Sequence, residues 1–222
     1  MIGYKAFNSD WTCRGKQYKV GESYHEDNVE LCEHGMHFCT ELNDIFQYYR
    51  YSKTMKLAKV KASGTIIGSD NNSKHVTSDL KVLEELDPNS EAVKLAVVKQ
   101  NGAAIKYIDN PSEKVKLAAV EKGGWAIRYI DSPSEAVQMA AVKQFGWAIQ
   151  YIDSPSETVQ LEAVKKGGAA IQFIDNPSET VQLEAVKQDG WAIQYIVNPS
   201  VTVKIVAFLT SIKCNIKWYL TA

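Results

Sequence analysis

The chain has 222 residues, of which 45% are hydrophobic, an ordinary composition for a soluble globular protein able to bury a core. Lys and Arg number 25 against 26 Asp and Glu, and neither part is basic: residues 1–86 carry 11 basic and 12 acidic side chains, residues 87–222 carry 14 of each, which argues against binding driven by phosphate neutralisation. No run of eighteen apolar residues occurs, and Met1 to Asp10 holds neither a basic nor an apolar stretch, so the expectation is a cytoplasmic protein with no membrane span, membrane partner or secretory leader.

Residues 1–85 do not repeat, and short apolar runs alternate with turn residues. Ile2 to Phe7, Gln17 to Val20, Met36 to Cys39, Met55 to Ala62 and Val76 to Val82 read as strands, and Glu41 to Tyr49 as a helix, which predicts a small α+β domain. The loop Ser69-Asp70-Asn71-Asn72-Ser73 is polar and expected to be exposed. Cysteines at 13, 32, 39 and 214 are too few and too unevenly placed for a secreted disulfide framework, so free thiols are expected. Cys32, His34, His37 and Cys39 lie within eight residues and are the chain's minor candidates for zinc. Their spacing is not that of a standard site, and Gly35 reads as a turn that sets Cys and His side chains opposite one another. Strand alternation sends His37 and Cys39 to one face, Met36 and Phe38 to the other. No phosphate-binding glycine loop or nucleophile elbow is present, so no catalytic residue, cofactor or metal is assigned.

From residue 86 to 222 the sequence repeats every 22 residues. Glu91, Glu113, Glu135, Glu157 and Glu179 keep that interval, as do Gly102, Gly124, Gly146, Gly168 and Gly190, giving five full units and a divergent sixth. In Ser132-Pro133-Ser134-Glu135, Ser132 suits the N-cap, Pro133 the first helical position, and Glu135 the acidic partner of a capping box. The same reading applies at Asn110, Ser154 and Asn176. Gly146 and its equivalents would then end the first helix in the left-handed conformation, and a shorter helix, Trp147 to Ile152, would follow. Helices so short and apolar are marginal alone. Stacked on their neighbours they make an all-α solenoid. The sixth unit replaces the glycine with Ile212 and runs on through Ile216, Trp218, Tyr219 and Leu220, which predicts a longer closing helix.

The candidate recognition face lies on the second helices. Trp125 with Tyr129, Trp147 with Tyr151 and Trp191 with Tyr195 stand four residues apart and would share one α-helical face, flanked by Arg128, Gln150, Gln172 and Gln194. Rigid amphipathic rings of this kind are enriched in binding hot spots. They also serve as packing between repeats. Lys99, Lys143, Lys165 and Lys187 recur on the first helices and read as a solvated face.

Three resemblances add to this. The units exemplified by Pro155-Ser156-Glu157-Thr158-Val159 to Gly168 resemble uncharacterised helical repeats of bacterial and phage proteins. The stretch Gly3-Tyr4-Lys5-Ala6-Phe7 through Trp11-Thr12-Cys13-Arg14-Gly15 to Gly35-Met36-His37-Phe38-Cys39 resembles a small domain common in phage and prophage proteins. That likeness implies a viral accessory protein acting in a bacterial cytoplasm, for which an anti-CRISPR-like inhibitor of a host nuclease or defence complex is the expectation. Gly35 to Cys39, with the segment bearing Phe46 and Tyr49, is also similar to the strand and helix beside the nicotinamide pocket of ADP-ribosyltransferases. Here His37 stands where that family has tyrosine, and the first strand offers Tyr4 and Lys5 where the family has histidine or arginine. A non-enzymatic protein-binding module is therefore the preferred reading, with an ADP-ribosyltransferase-like enzyme or a solenoid for single-stranded nucleic acid as alternatives.

Overall fold

The computed structural model describes residues 1–68 and 73–221, with side chains through Ile212. The chain divides into two compact units, Met1–Val115 and Lys116–Ala222.

The first unit opens with β1 (Ile2–Phe7), β2 (Thr12–Cys13), β3 (Lys16–Gln17), β4 (Ser23–His25) and β5 (Met36–Cys39), followed by α1 (Ile45–Tyr48), β6 (Lys56–Gly68) and β7 (Lys74–Leu86). β2 and β3 form a hairpin turned by Arg14 and Gly15, both at positive φ (50° and 77°), as a two-residue primed turn requires. The other strands pair antiparallel. β1 lies along β6 from Ile2↔Lys61 to Phe7↔Lys56 and meets β5 at Tyr4↔Cys39. β7 pairs with β6, β5 and β4, so the pairing closes on itself. Phe7, Tyr18, Met36, Phe38, Val60, Leu80 and Val82 fill the core beneath it.

Where the strand pattern stopped at Ala62, the strand continues to Gly68. The register shifts between Ser63 and Ile66, and Gly64, at φ 67°, occupies this irregular stretch. Gln17 to Val20 is strand only at its first residue, and the helix expected over Glu41 to Tyr49 contracts to the four residues of α1. β4 was not anticipated: three polar-leaning residues carry no period, and their strand geometry comes from pairing with β7. Of the loop expected at 69–73, residues 69–72 lie outside the described residues. The first unit also contains α2 (Glu91–Gln100) and the 3₁₀ helix Gly102–Tyr107.

The repeats continue through α3 (Glu113–Lys122), α4 (Glu135–Gln144), α5 (Glu157–Lys166) and α6 (Glu179–Gln188), each followed by a 3₁₀ helix: Gly124–Tyr129, Gly146–Tyr151, Gly168–Phe173 and Gly190–Tyr195. Val137, Ala141 and Val142 of α4, with Ala148, Ile149 and Ile152 after it, are buried, and the pattern recurs in the following unit. An α+β amino-terminal part followed by helical repeats is thus the architecture.

Two expected details are corrected. The N-caps are Ser134, Ser156 and Ser178, whose hydroxyls accept from the amides of Val137, Val159 and Val181 at 3.2, 3.4 and 3.3 Å. Ser132, Ser154, Asn110 and Asn176, two residues earlier, adopt left-handed backbone at φ 46°, 49°, 44° and 48°. A residue before proline is driven from the right-handed helical region, so the turn forms there and the helix starts beyond it. The glutamate does not reach back to its own cap. Glu135 accepts from the Ser156 hydroxyl of the next unit at 2.6 Å, Glu179 from Ser200 at 2.6 Å, and Glu157 from Ser178. Pro-Ser-Glu is therefore both a cap and a strap between repeats.

The glycines are also selected for a different reason. Gly124, Gly146, Gly168 and Gly190 are not at positive φ. A Cβ on Gly124 or Gly146 would sit 2.6 Å from the carbonyl oxygen of Ala141 or Ala163 in the following helix. Close approach, not helix termination, excludes a side chain here.

The long closing helix is observed as α7 (Val201–Thr221), packed on α6 and on the 3₁₀ helix before it. Ile216, Trp218, Tyr219 and Leu220, expected to take part in that packing, lie beyond the described side chains. Phe208 occupies the place of the buried Val186, but because α7 runs on without folding back, it is 66% exposed. No helix among the described residues is long and apolar enough to cross a membrane.

Candidate functional site

The aromatic positions of the second unit lie at its surface while the backbone carrying them is anchored below. Ala148 and Ile149 are buried, whereas neighbouring Trp147 is 40% exposed; Trp125 is 43% and Trp191 69% exposed. Tyr151 and Tyr195 are exposed, and Tyr129 is half-buried. The segments are 3₁₀ helices, in which three residues complete a turn, so positions four apart diverge by about 120° and do not share a face. The pairing of Trp147 with Tyr151 within one unit is thereby replaced by pairing across units. Trp125 meets Tyr151 edge-on at 5.8 Å, and Trp147 meets Phe173 edge-on at 5.4 Å.

Phe145 and Phe173, which the sequence reading missed, complete this row. Phe145 packs on Trp125 at 4.3 Å and approaches Trp147 at 6.4 Å. Its position holds Asn101, Gly123, Gly167 or Asp189 in other units, so the interval offered no signal. Of the flanking polar groups, Arg128 stacks on the Tyr129 ring at 4.7 Å, and the Gln150 amide donates to the Trp147 carbonyl at 3.0 Å. Gln194 is exposed, as are Lys99, Lys143, Lys165 and Lys187.

In the first unit the alternation expected for β5 holds. Met36 and Phe38 enter the core, and His37 and Cys39 line a cleft of about 250 Å³ walled by β1, β5 and α1. The Cys and His side chains do not converge as a ligand set. Cys32 Sγ accepts from Lys74 at 3.3 Å, while His37 Nε2 accepts the Cys32 amide at 2.9 Å. Burial pushes the Cys39 thiol up to about 11. Among the described residues the one group close enough to share an ion is Glu30, Glu33 and His34, all exposed.

The cleft holds a cation-rich wall that sequence reading overlooked. Lys5 is 4% exposed and donates to the His37 carbonyl at 2.8 Å. Burial lowers its pKa, opposed chiefly by the neighbouring Cys13 thiol. Arg14 spans the Glu33 and Cys32 carbonyls at 2.8 and 3.1 Å. The His37 imidazole is held at a pKa of about 4, first by burial and then by Arg14, Lys5 and Lys74. Alternation groups His37 with Cys39, but nothing local in the sequence brings Lys5, Arg14 or Lys74 to them, since these arrive from β1, a turn and β7.

A family described as a domain of unknown function (DUF7666) matches residues 1–94. Neither a curated protein nor a solved structure matches the chain. The amino-terminal part of this chain is thus similar to a domain to which no activity is attached, and the repeats lie almost wholly beyond the match.

Proposed function

We propose that the protein is a non-enzymatic, phage-encoded accessory factor that uses the aromatic row of its repeats to hold one protein partner in the bacterial cytoplasm. The observation that carries this reading is the row of partly exposed rings at Trp125, Trp147, Tyr151, Trp191 and Tyr195, set on short helices anchored by the buried Ala126, Ala148 and Ala192. Preorganised rings lose little conformational freedom on binding, which is why Trp and Tyr dominate hot spots. The phage and prophage likeness of the first strands makes a host defence effector, such as an RNA-guided nuclease, the partner to test.

Purified chain is expected to suppress cleavage by such a nuclease, and Trp147→Ala and Trp191→Ala to weaken binding by about thirtyfold each, the equivalent of about 2 kcal/mol per anchor. Circular dichroism should be unchanged in both variants. Unfolded variants would assign the rings to structure, and intact variants that inhibit as well as the parent would refute the recognition face. Binding to single-stranded nucleic acid with a steep salt dependence would favour a nucleic-acid solenoid instead.

A further inference from the structure

We infer that the cleft of the first unit is a binding site for a small phosphomonoester carrying a flat ring, with the phosphoryl group on Lys5, Arg14, His37 and Lys74 and the ring against Tyr48 and Tyr49.

The fold leaves two buried donors, Lys5 and His37, incompletely used. Lys5 is 4% exposed; one N–H donates to the His37 carbonyl at 2.8 Å, the Cys13 thiol is a second hydrogen-bonding neighbour, and the Phe7 and Tyr18 rings lie 5.6 and 5.5 Å from the ammonium, which leaves the positive charge without a carboxylate in contact. Among the described residues Glu26 is the carboxylate that influences it, and the weakest of its neighbours, so the burial is not offset there by an ion pair. A buried cation without a counter-ion is costly. His37 is 9% exposed, and its Nε2 accepts the Cys32 amide at 2.9 Å, which in the neutral ring puts the proton on Nδ1. Among the described residues Nδ1 makes no hydrogen bond of good geometry, although the Gly35 carbonyl is close enough to act on the ring. Both groups line the same cleft, and both are donors. What is missing is an acceptor.

The remaining wall sets the chemistry of that acceptor. Arg14 and Lys74 line the cleft too, and among the described residues no Asp or Glu does. Several N–H donors with positive charge and no carboxylate match an anion with several oxygens, for which phosphate is the natural fit. A volume of about 250 Å³ suits a small molecule, below the usual range for drug-sized ligands. Tyr48, the last residue of α1, and Tyr49 after it also line the cleft, both partly exposed, and Lys74 already lies 4.7 Å over the Tyr48 ring. A flat ring entering beside them would stack or meet them edge-on.

The test is titration of the full chain, in low salt at neutral pH, with phenyl phosphate, inorganic phosphate and phenol, followed by calorimetry and by NMR of the histidine ring nitrogens. Phenyl phosphate is expected to bind, to shift the His37 Nδ1 resonance, and to exceed inorganic phosphate by about tenfold, while phenol does not bind. Lys5→Met removes the buried cation but risks the core. Arg14→Gln and Lys74→Gln change partly exposed side chains, and each should weaken phenyl phosphate about tenfold while the ligand-free circular dichroism spectrum stays that of the parent. Absence of binding by both phosphates, a His37 resonance that does not move, or unchanged affinity in both glutamine variants overturns the site. Equal affinity for the two phosphates overturns the role given to the tyrosines.

Discussion

Folding withdraws the His37 imidazole from water and sets it near Arg14, Lys5 and Lys74, so protonating it costs more in the native chain than in the unfolded one. With a native pKa of about 4 against 6.5 unfolded, the unfolded chain takes up the proton first. Stability is whole above 6.5 and declines as pH falls from there towards about 4. His25 works in the opposite sense. Its bonds to Asp79 (2.7 Å) and Asp27 (3.1 Å) raise its pKa, so its contribution is present below the ordinary value and lost as pH rises through the raised one. His37→Gln should therefore flatten the loss of stability between pH 7 and pH 5, measured by urea denaturation at both, whereas an unaltered slope would mean that His37 is solvated. At the turns before proline, Ser132 and Ser154 hold left-handed backbone that asparagine tolerates better, and three equivalent positions already carry Asn110, Asn176 and Asn198. Ser132→Asn with Ser154→Asn should raise the urea midpoint by an amount equivalent to about 0.5–1 kcal/mol, and a lower midpoint would contradict the strain argument. No periodicity could announce this strain, because serine and asparagine are equally good turn and cap residues.

At the scale of elements, the 22-residue interval located every repeat helix, since buried valine and alanine recur where each helix needs them. What it misplaced was the cap, by two residues, because Ser-Pro-Ser-Glu offers two serines and only the conformation of the first tells them apart. The second helices could not be recognised as 3₁₀ from residue types, because six residues support either geometry and the choice is made by packing. That packing gives the glycines their test. Gly146→Ala drives a methyl against the Ala163 carbonyl, 2.6 Å away, and should cost about 1–3 kcal/mol in chemical denaturation. If the glycine served only to end a helix, the loss would track φ, and Gly146 is not at positive φ. Ser178→Ala removes a cap and the strap to Glu157 together. A loss of about 1 kcal/mol is expected, with Ser178→Thr recovering most of it.

For the whole molecule, contacts in the repeats run between neighbours: α4 with α5, α5 with α6, α6 with α7. Stability of such a stack approximates a sum over units and interfaces. Deleting residues 155–176, one complete unit joined in register from Ser154 to Pro177, should leave a folded helical protein with a modestly lower melting temperature. Loss of the helical circular dichroism signal would show that the units are not interchangeable. The fold class, an α+β part followed by helical repeats, was readable in the order of residues because period-two and 22-residue patterns are properties of the chain. So were the edges of β1 and β5, where alternation and turn residues agree. The aromatic positions were readable as well, but not their company: Trp125 finds Tyr151 and Phe145 only because stacking brings different units to one surface. The cation-rich cleft was least visible of all. Lys5, Arg14, His37 and Lys74 come from a strand, a turn, another strand and a third strand, and only closure of the sheet brings their donors to one place, since pairing across long separations leaves no local mark on the sequence.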